Sequence, residues 1–343
     1  MGEPVLGTYA PRESDEALAL DALCAQGGAL RLSFRRSTFH RRAESYPDHV
    51  ILTARLDGEL VGTLAVAAQP VDFLGRPARG AFAFDLRVHP GARRRGIARD
   101  LAREGLAWAE RRADLVYAYT VDDNRAAARV CALMGMVEAG RYAYLACPTA
   151  SLPPPRRPLR PVSAEEAHAA FVSAEGPFDL HAAPVFRPGA EGYIGSWLWR
   201  DGDEVAGASA FCPRTILAEV VERVPWPLRA ARTLARAGLP WPRRWPRVPE
   251  DGEELRSWYL FDAFATSPER AVDAVRHAAV QARARGIDWC HVIHTPRAGW
   301  VEAVRRDLPR LFSPVVRYRL LLRRFDGAPV APLARLHVDV RDV

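Results

Sequence analysis

Lysine is missing from this chain: every one of the 48 lysine-or-arginine positions is arginine. A coding bias towards arginine explains this more simply than a function does. The arginines are spread along the chain, and no nucleic-acid-binding motif accompanies them, so the net charge of +7 does not by itself predict a nucleic-acid partner. Cysteine is scarce and scattered, at Cys24, Cys131, Cys147, Cys212 and Cys290. The number is odd, no CxxC occurs, and no Cys/His cluster has zinc spacing. No disulfide scaffold and no metal are expected, and a reducing, cytoplasmic setting fits best. No run of about 18 apolar residues is present, so no transmembrane helix and no membrane partner are expected. The N-terminus pairs no basic region with an apolar segment, so no signal peptide is expected.

A chain of 343 residues is long for one core, and its length suggests two domains of about 150 residues each. The stretch Pro148 to Pro161 (PTASLPPPRRPLRP) divides it near the middle. Proline removes backbone donors and favours extended conformers, so residues 148–161 read as a semi-rigid linker.

Residues 1–147 alternate strands and helices. Leu6–Pro11 is strand-like, Ser14–Cys24 helical, and Ser37–Ala43 a weaker helix. Val50–Leu56 and Leu60–Ala68 are strands joined by the hairpin signal Asp57-Gly58. In Ala81–Val88 strict alternation puts Phe82, Phe84, Leu86 and Val88 on one face. Gly96–Arg112 carries Ile97, Leu101 and Trp108 at helical spacing. Leu115–Thr120 is a strand, Asp122 or Asp123 can cap a helix to Met134, Gly135 can end it, and residues 136–147 resemble two short strands.

The second half repeats this order. Arg55-Leu56-Asp57-Gly58 with Val61-Gly62 matches Arg200-Asp201-Gly202 with Ala206-Gly207. Arg112-Ala113-Asp114-Leu115 matches Gly286-Ile287-Asp288-Trp289, and Arg141-Tyr142 matches Arg317-Tyr318. Any one match is weak, but their common order indicates a tandem duplication. The second copy spans 162–326 with an insertion at about 213–253, and 327–343 form a tail.

The chemistry concentrates where the strand ending Val88-His89-Pro90 runs through Gly91-Ala92-Arg93-Arg94-Arg95-Gly96-Ile97-Ala98 into a helix. A helix start presents unpaired N–H groups and the positive end of the dipole, both suited to phosphate. Gly96 lets the backbone approach closely, and arginine adds charge-assisted bonds.

Strand, (Arg/Gln)-x-x-Gly-x-(Gly/Ala), helix resembles the acetyl-CoA signature of the GNAT acetyltransferase superfamily. Asn124-x-x-Ala127 through Met134-Gly135-Met136 resembles that family's second element. The resemblance covers roughly residues 5–147. It implies an α+β fold: two tandem GNAT-like domains, each a mixed, mostly antiparallel twisted sheet flanked by helices. It also implies acetyl-CoA as cosubstrate. The backbone of Arg93, Arg94, Arg95, Gly96, Ile97 and Ala98 would hold the pyrophosphate. The Leu86–Val88 segment, Arg87 included, would pair with the pantetheine arm and polarise the thioester carbonyl. Asn124 would contact the thiol end.

The expected reaction is acyl transfer from acetyl-CoA to a primary amine of a small molecule or peptide, by direct attack in a ternary complex. A protonated amine is not nucleophilic, so a base must deprotonate it. Asp85 is the first candidate, with Glu138 and His89 behind it. Where the family often has a tyrosine to protonate the leaving thiolate, this chain has Cys131, so Cys131, Tyr142 or Tyr144 would supply the acid. The acceptor pocket is expected from residues 25–48 and 69–80 with part of the second copy.

The second copy has no matching cradle. Its loop reads Ala265-Thr266-Ser267-Pro268-Glu269-Arg270-Ala271, without glycine, and the position matching Asn124 falls near Ala298. It reads as a degenerate copy. In the insertion, Thr233–Ala237 belongs to a short basic amphipathic helix, read as a lid or packing element. In the tail, Leu336-His337-Val338-Asp339-Val340 alternates like an edge strand able to join a sheet of its own or of a neighbouring chain, as in a homodimer. The competing reading of the whole is a non-catalytic acyl-CoA-binding or regulatory protein.

Overall fold

The computed structural model describes residues 2–25, 27, 30–181, 190–237, 245–294 and 300–342. The first half runs β1 (Val5–Thr8), α1 (Ser14–Leu23), β2 (Arg31–Arg35), β3 (Asp48–Leu56), β4 (Glu59–Phe73), β5 (Arg76–Val88), α2 (Ile97–Glu110), β6 (Leu115–Val121), α3 (Arg125–Leu133) and β7 (Val137–Pro148). The second half runs β8 (Arg160–Val162), α4 (Ala164–Glu175), β9 (Leu180–His181), β10 (Tyr193–Asp201), β11 (Glu204–Phe211), β12 (Ala218–Arg223) and α5 (Trp226–Arg236). It ends with β13 (Ser257–Ala265), α6 (Pro268–Ala284), β14 (Trp289–His294), α7 (Trp300–Arg306), β15 (Val315–Arg324) and β16 (Leu336–His337). Among the described residues no helix is long and apolar enough to cross a membrane.

Three local expectations are corrected. Residues 37–43 form no α-helix but two 3-10 turns, Phe39–Arg41 and Ala43–Ser45. Residues 136–147 give one continuous strand, β7. The cap of α3 is neither Asp122 nor Asp123 but Asn124, whose side chain accepts from the Ala127 N–H at 3.1 Å.

The main sheet runs β1-β3-β4-β5-β6-β15-β7-β14-β13-β11-β10-β8. Most neighbours are antiparallel; β5–β6 and β13–β14 are parallel. The two halves meet at β15 and β7, and each of these strands lies against the other half's sheet. β15, from the end of the chain, pairs with β6 of the first half, and β7 pairs with β14 of the second. β15 and β7 pair with each other, with Tyr318 opposite Tyr142.

The two copies share an irregularity that strand patterning does not reveal. In the first, the β4–β5 register shifts between Thr63 and Ala65, which pair with Arg87 and Phe84. In the second, the β11–β13 register shifts between Gly207 and Ser209, which pair with Phe264 and Phe261. The extra residue is Asp85 (φ 50°) in one and Asp262 (φ 47°) in the other. A bulge reverses the side-chain phase beyond it. Phe82 and Phe84 therefore pack with Ala17 and Leu20 of α1, whereas Leu86 and Val88 pack with Ile97 and Leu101 of α2. The expectation that all four share one face is thus corrected.

The amphipathic face of α2 is buried on β4. A Cβ on Gly105 would stand 2.8 Å from Leu64 Cδ2, so glycine sets how closely helix and sheet approach. The proline-rich stretch after β7 buries Leu152 and Leu159 in the second half's core. The segment read as an insertion begins with β12, which pairs with β2 of the first half. The sequence-predicted helix near Thr233 is the end of α5, and residues 238–244 lie outside the described residues. The tail contributes only Leu336–His337 as a strand, parallel to β9. Beyond it, Arg341 bonds Gln69 and the Ser45 carbonyl of the first half. The tail thus makes contacts within its own chain.

Candidate functional site

Parallel pairing of β5 with β6 covers only Gly80–Leu115, Ala81–Val116 and Phe82–Tyr117. Past the bulge the strands part, and a cavity of about 230 Å³ opens between them. Leu86 and Arg87 line one side, Tyr119, Thr120 and Val121 the other, with Asn124 and Cys131 of α3 below. Its inner end is apolar, walled by Leu106, Val116, Met134 and Met136.

The loop that follows β5 leads into α2. Arg94 (φ 67°) and Gly96 (φ 83°) both take left-handed backbone conformations. Arg93, Arg94 and Arg95 are exposed, and α2 begins at Ile97 with Gly96 as its cap. Backbone N–H groups at a helix start, three unburied guanidinium groups and a glycine at positive φ are the elements of a phosphate cradle. In the second copy, α6 follows β13 with only Thr266 and Ser267 between them. Thr266 is spent on the Val205 backbone, to which its hydroxyl is bonded at 3.1 and 3.3 Å. Ala298, the position matched with Asn124, lies outside the described residues.

Asp85, the first base candidate, is locked into a buried charge network. Its carboxylate accepts from Arg36 at 2.6 Å and faces Arg42 at 3.4 Å and Arg87 at 3.5 Å. Arg36 also bonds Asp21 at 2.6 Å, as does Arg87. Burial alone would raise the Asp85 pKa, but the three guanidinium groups hold it well below the usual carboxylate range. A carboxylate so stabilised has little tendency to take a proton near neutral pH. The role of base is therefore at odds with its surroundings.

Burial pushes the Cys131 thiol up to about 11, so it stays protonated in the cavity wall. Tyr142 is not in this cavity. Its ring stacks on Tyr318 at 4.7 Å and lines a second cavity in the other half. The tyrosine that reaches the first cavity from this pair is Tyr318, which sequence reasoning missed. Tyr144 is buried, and desolvation raises its pKa well above the usual value. Of the weaker candidates, Glu138 pairs with Arg141 at 2.6 Å, and His89 caps its own turn by accepting from the Gly91 N–H.

The second half closes the cavity. Glu219 of β12, with Pro213 and Leu217 before it, lines it together with Tyr259 and Phe34. Glu219 is buried. It accepts from Tyr259 Oη at 3.0 Å and Ser257 Oγ at 3.1 Å. Its bonded partners there are hydroxyls, in contrast to the guanidinium groups around Asp85. No motif marks Glu219. The β2–β12 pairing, which brings it over the cleft, is a long-range contact with no local signal.

The second copy builds a different polar centre at the same bulge. Asp262 accepts from His168 Nδ1 at 2.8 Å and His337 Nε2 at 2.7 Å. Burial would raise its pKa, and the two imidazoles hold it well below the usual range. The expectation of no His cluster followed from sequence spacing. These histidines come from α4, β9 and β16, far apart in the chain.

Residues 18–136 match the acetyltransferase (GNAT) family profile. No curated protein sequence matches the chain. Among solved structures, N-myristoyltransferase of Saccharomyces cerevisiae with bound myristoyl-CoA is 10% identical, covering 94% of this chain and 79% of that one at a TM-score of 0.59. A second structure of the same enzyme is 9% identical, covering 94% and 83% at a TM-score of 0.57. A GCN5-related N-acetyltransferase from Kribbella flavida is 13% identical, covering 95% and 73% at a TM-score of 0.50. The chain has the GNAT-superfamily fold in a two-domain, tandem arrangement.

Proposed function

We propose that the protein is an acyl-CoA-dependent N-acyltransferase that passes an acetyl group from acetyl-CoA to a primary amine of a small molecule or peptide. Two observations support this reading. β5 and β6 pair only over Gly80–Phe82, and an apolar cleft lies between them further along. The Arg93–Ala98 loop joins the end of β5, whose Leu86 and Arg87 line that cleft, to α2. The loop backbone and Arg93, Arg94 and Arg95 bind the pyrophosphate. Leu86 and Val88 present their backbone to the pantetheine arm, and Asn124 meets its thiol end. The bound cosubstrate supplies the activated thioester.

Glu219 takes the role first assigned to Asp85. Its carboxylate, oriented by Tyr259 and Ser257, accepts a proton from the incoming ammonium so that the amine nitrogen has a lone pair for the carbonyl. Tyr318, rather than Tyr142, stands in the cavity where a proton can be returned to the leaving sulfur. The second copy acts as the wall of the acceptor pocket.

A non-catalytic acyl-CoA sensor is the competing reading, favoured by the ion-pair lock on Asp85. Thiol release from acetyl-CoA and longer acyl-CoAs across an amine panel separates the two. Turnover with any amine supports the enzyme. Tight acyl-CoA binding without turnover across the panel supports the sensor, and no acyl-CoA binding overturns both.

A further inference from the structure

Where the first copy surrounds its bulge aspartate with arginines, the second surrounds Asp262 with histidines. His168, His181 and His337 each bring one ring nitrogen within 4.8 Å of those of the other two. Asp262 bonds His168 and His337, and Asp72 lies 3.6 Å from His181 Nδ1. Each ring is thus matched with a carboxylate, the arrangement that fixes tautomer and orientation in metal-binding histidines. His181 Nε2 is buried and has no hydrogen-bond partner among the described residues. Leaving such a nitrogen unsatisfied is costly, and a ligand to it removes the cost.

We propose that His168, His181 and His337 bind one Zn²⁺ ion, with Asp262 as the outer carboxylate that orients two of them. Three imidazoles without thiolates suit a borderline divalent ion and leave a fourth position open. Zn–N bonds of about 2.0–2.1 Å require tetrahedral ligand atoms roughly 3.3 Å apart. Nitrogens at the 4.8 Å limit would draw together by about 1.5 Å on binding one ion. Of the three ligands His337 lines a cavity of about 420 Å³, together with Asp262, Tyr142 and His294. The three ligands join α4, β9 and β16, so the ion also ties the tail to the second half. Phe171 and Phe178 pack against these rings at 5.3–6.2 Å.

The test uses full-length protein without a histidine tag. Chelator-treated protein is titrated with Zn²⁺ by calorimetry, and with Co²⁺ while the visible d–d absorption is recorded. The expected result is one ion per chain, an intense four-coordinate Co²⁺ spectrum, and a thermal midpoint raised by Zn²⁺. His181→Ala, which leaves both Asp262 hydrogen bonds in place, should lower Zn²⁺ affinity at least tenfold while keeping the far-UV circular dichroism. His49→Ala, outside the cluster, should change nothing. Equal Zn²⁺ binding by wild type and His181→Ala, or a six-coordinate Co²⁺ spectrum, overturns the site. None of these readouts depends on acyl-transfer activity.

Discussion

Arg36 and Asp85 meet at 2.6 Å with both side chains out of water, and Asp21 holds the same guanidinium from its other side at 2.6 Å. Breaking one member of a buried network leaves charge uncompensated. Asp85→Asn is therefore expected to cost about 3–5 kcal/mol in unfolding free energy. A carboxyl whose folded pKa is depressed stabilises the fold above its unfolded value of about 3.9. That stability is lost as pH falls through the folded value. Wild type should weaken on acidification below about pH 4 more steeply than Asp85→Asn. Urea midpoints across pH 2–7 check this. Unchanged stability with lost turnover would return Asp85 to the role of base.

Glu219 and Cys131 face the same cavity, yet opposite outcomes are expected for them. Glu219→Gln keeps a carbonyl acceptor for one of its hydroxyl partners and removes the proton acceptor. Turnover should fall by about 10²–10⁴-fold with stability held within about 1 kcal/mol. Cys131→Ala should change turnover less than about twofold, since burial keeps the thiol protonated and poorly suited to exchange protons. Steady-state rates over pH 6–9 check both. A large loss in Cys131→Ala with Glu219→Gln unaffected would reverse the assignment.

The cradle makes a prediction about salt. Arg94→Ala and Arg95→Ala each remove an exposed charge, so each should raise the KM for acetyl-CoA by roughly three- to tenfold at low ionic strength. The difference should shrink as salt screens the wild-type loop. Gly96→Val places a β-branched side chain at φ 83°, with a strain of about 1–3 kcal/mol at the start of α2. KM measured from 20 to 500 mM salt is the check. An acceptor KM that moves instead of the donor KM would displace the cradle from this loop.

Much of this was legible from local patterns. The period of α2, the Asp57-Gly58 turn and the Arg93–Ala98 loop each depend on contiguous residues. The order of repeats pointed to two copies of one fold. Asp85 shows where local reading stops. A bulge inserts one residue without a fixed sequence signature, reversing the side-chain phase for Leu86 and Val88, and the arginines that lock Asp85 include two from the segment between β2 and β3. Glu219 depends on β2 finding β12 across nearly two hundred residues. The three histidines meet only once the tail has returned. Tyr142, a candidate acid in the sequence, lines the other cavity, and no pattern in residues 136–147 says that β7 faces the second half.

That position of β7 leads to the last prediction, about folding units. A break near residue 150 looks harmless from the proline content, and on that view each half would fold alone. In the structure, β7 has β15 on one side and β14 on the other, both from the second half. A fragment of residues 1–150 removes both neighbours and strips β15 from β6. It exposes Leu145, which is fully buried, together with unpaired strand edges that invite aggregation. The isolated fragment should show no cooperative thermal transition and should elute as an aggregate. Co-expression with residues 151–343 should restore a soluble complex, because the missing strands are then supplied in trans. Size-exclusion chromatography and calorimetry of the separate and co-expressed fragments check this. A monomeric, cooperatively melting 1–150 fragment would mean that the strand exchange is dispensable for the first half, and that β7 can close its own sheet.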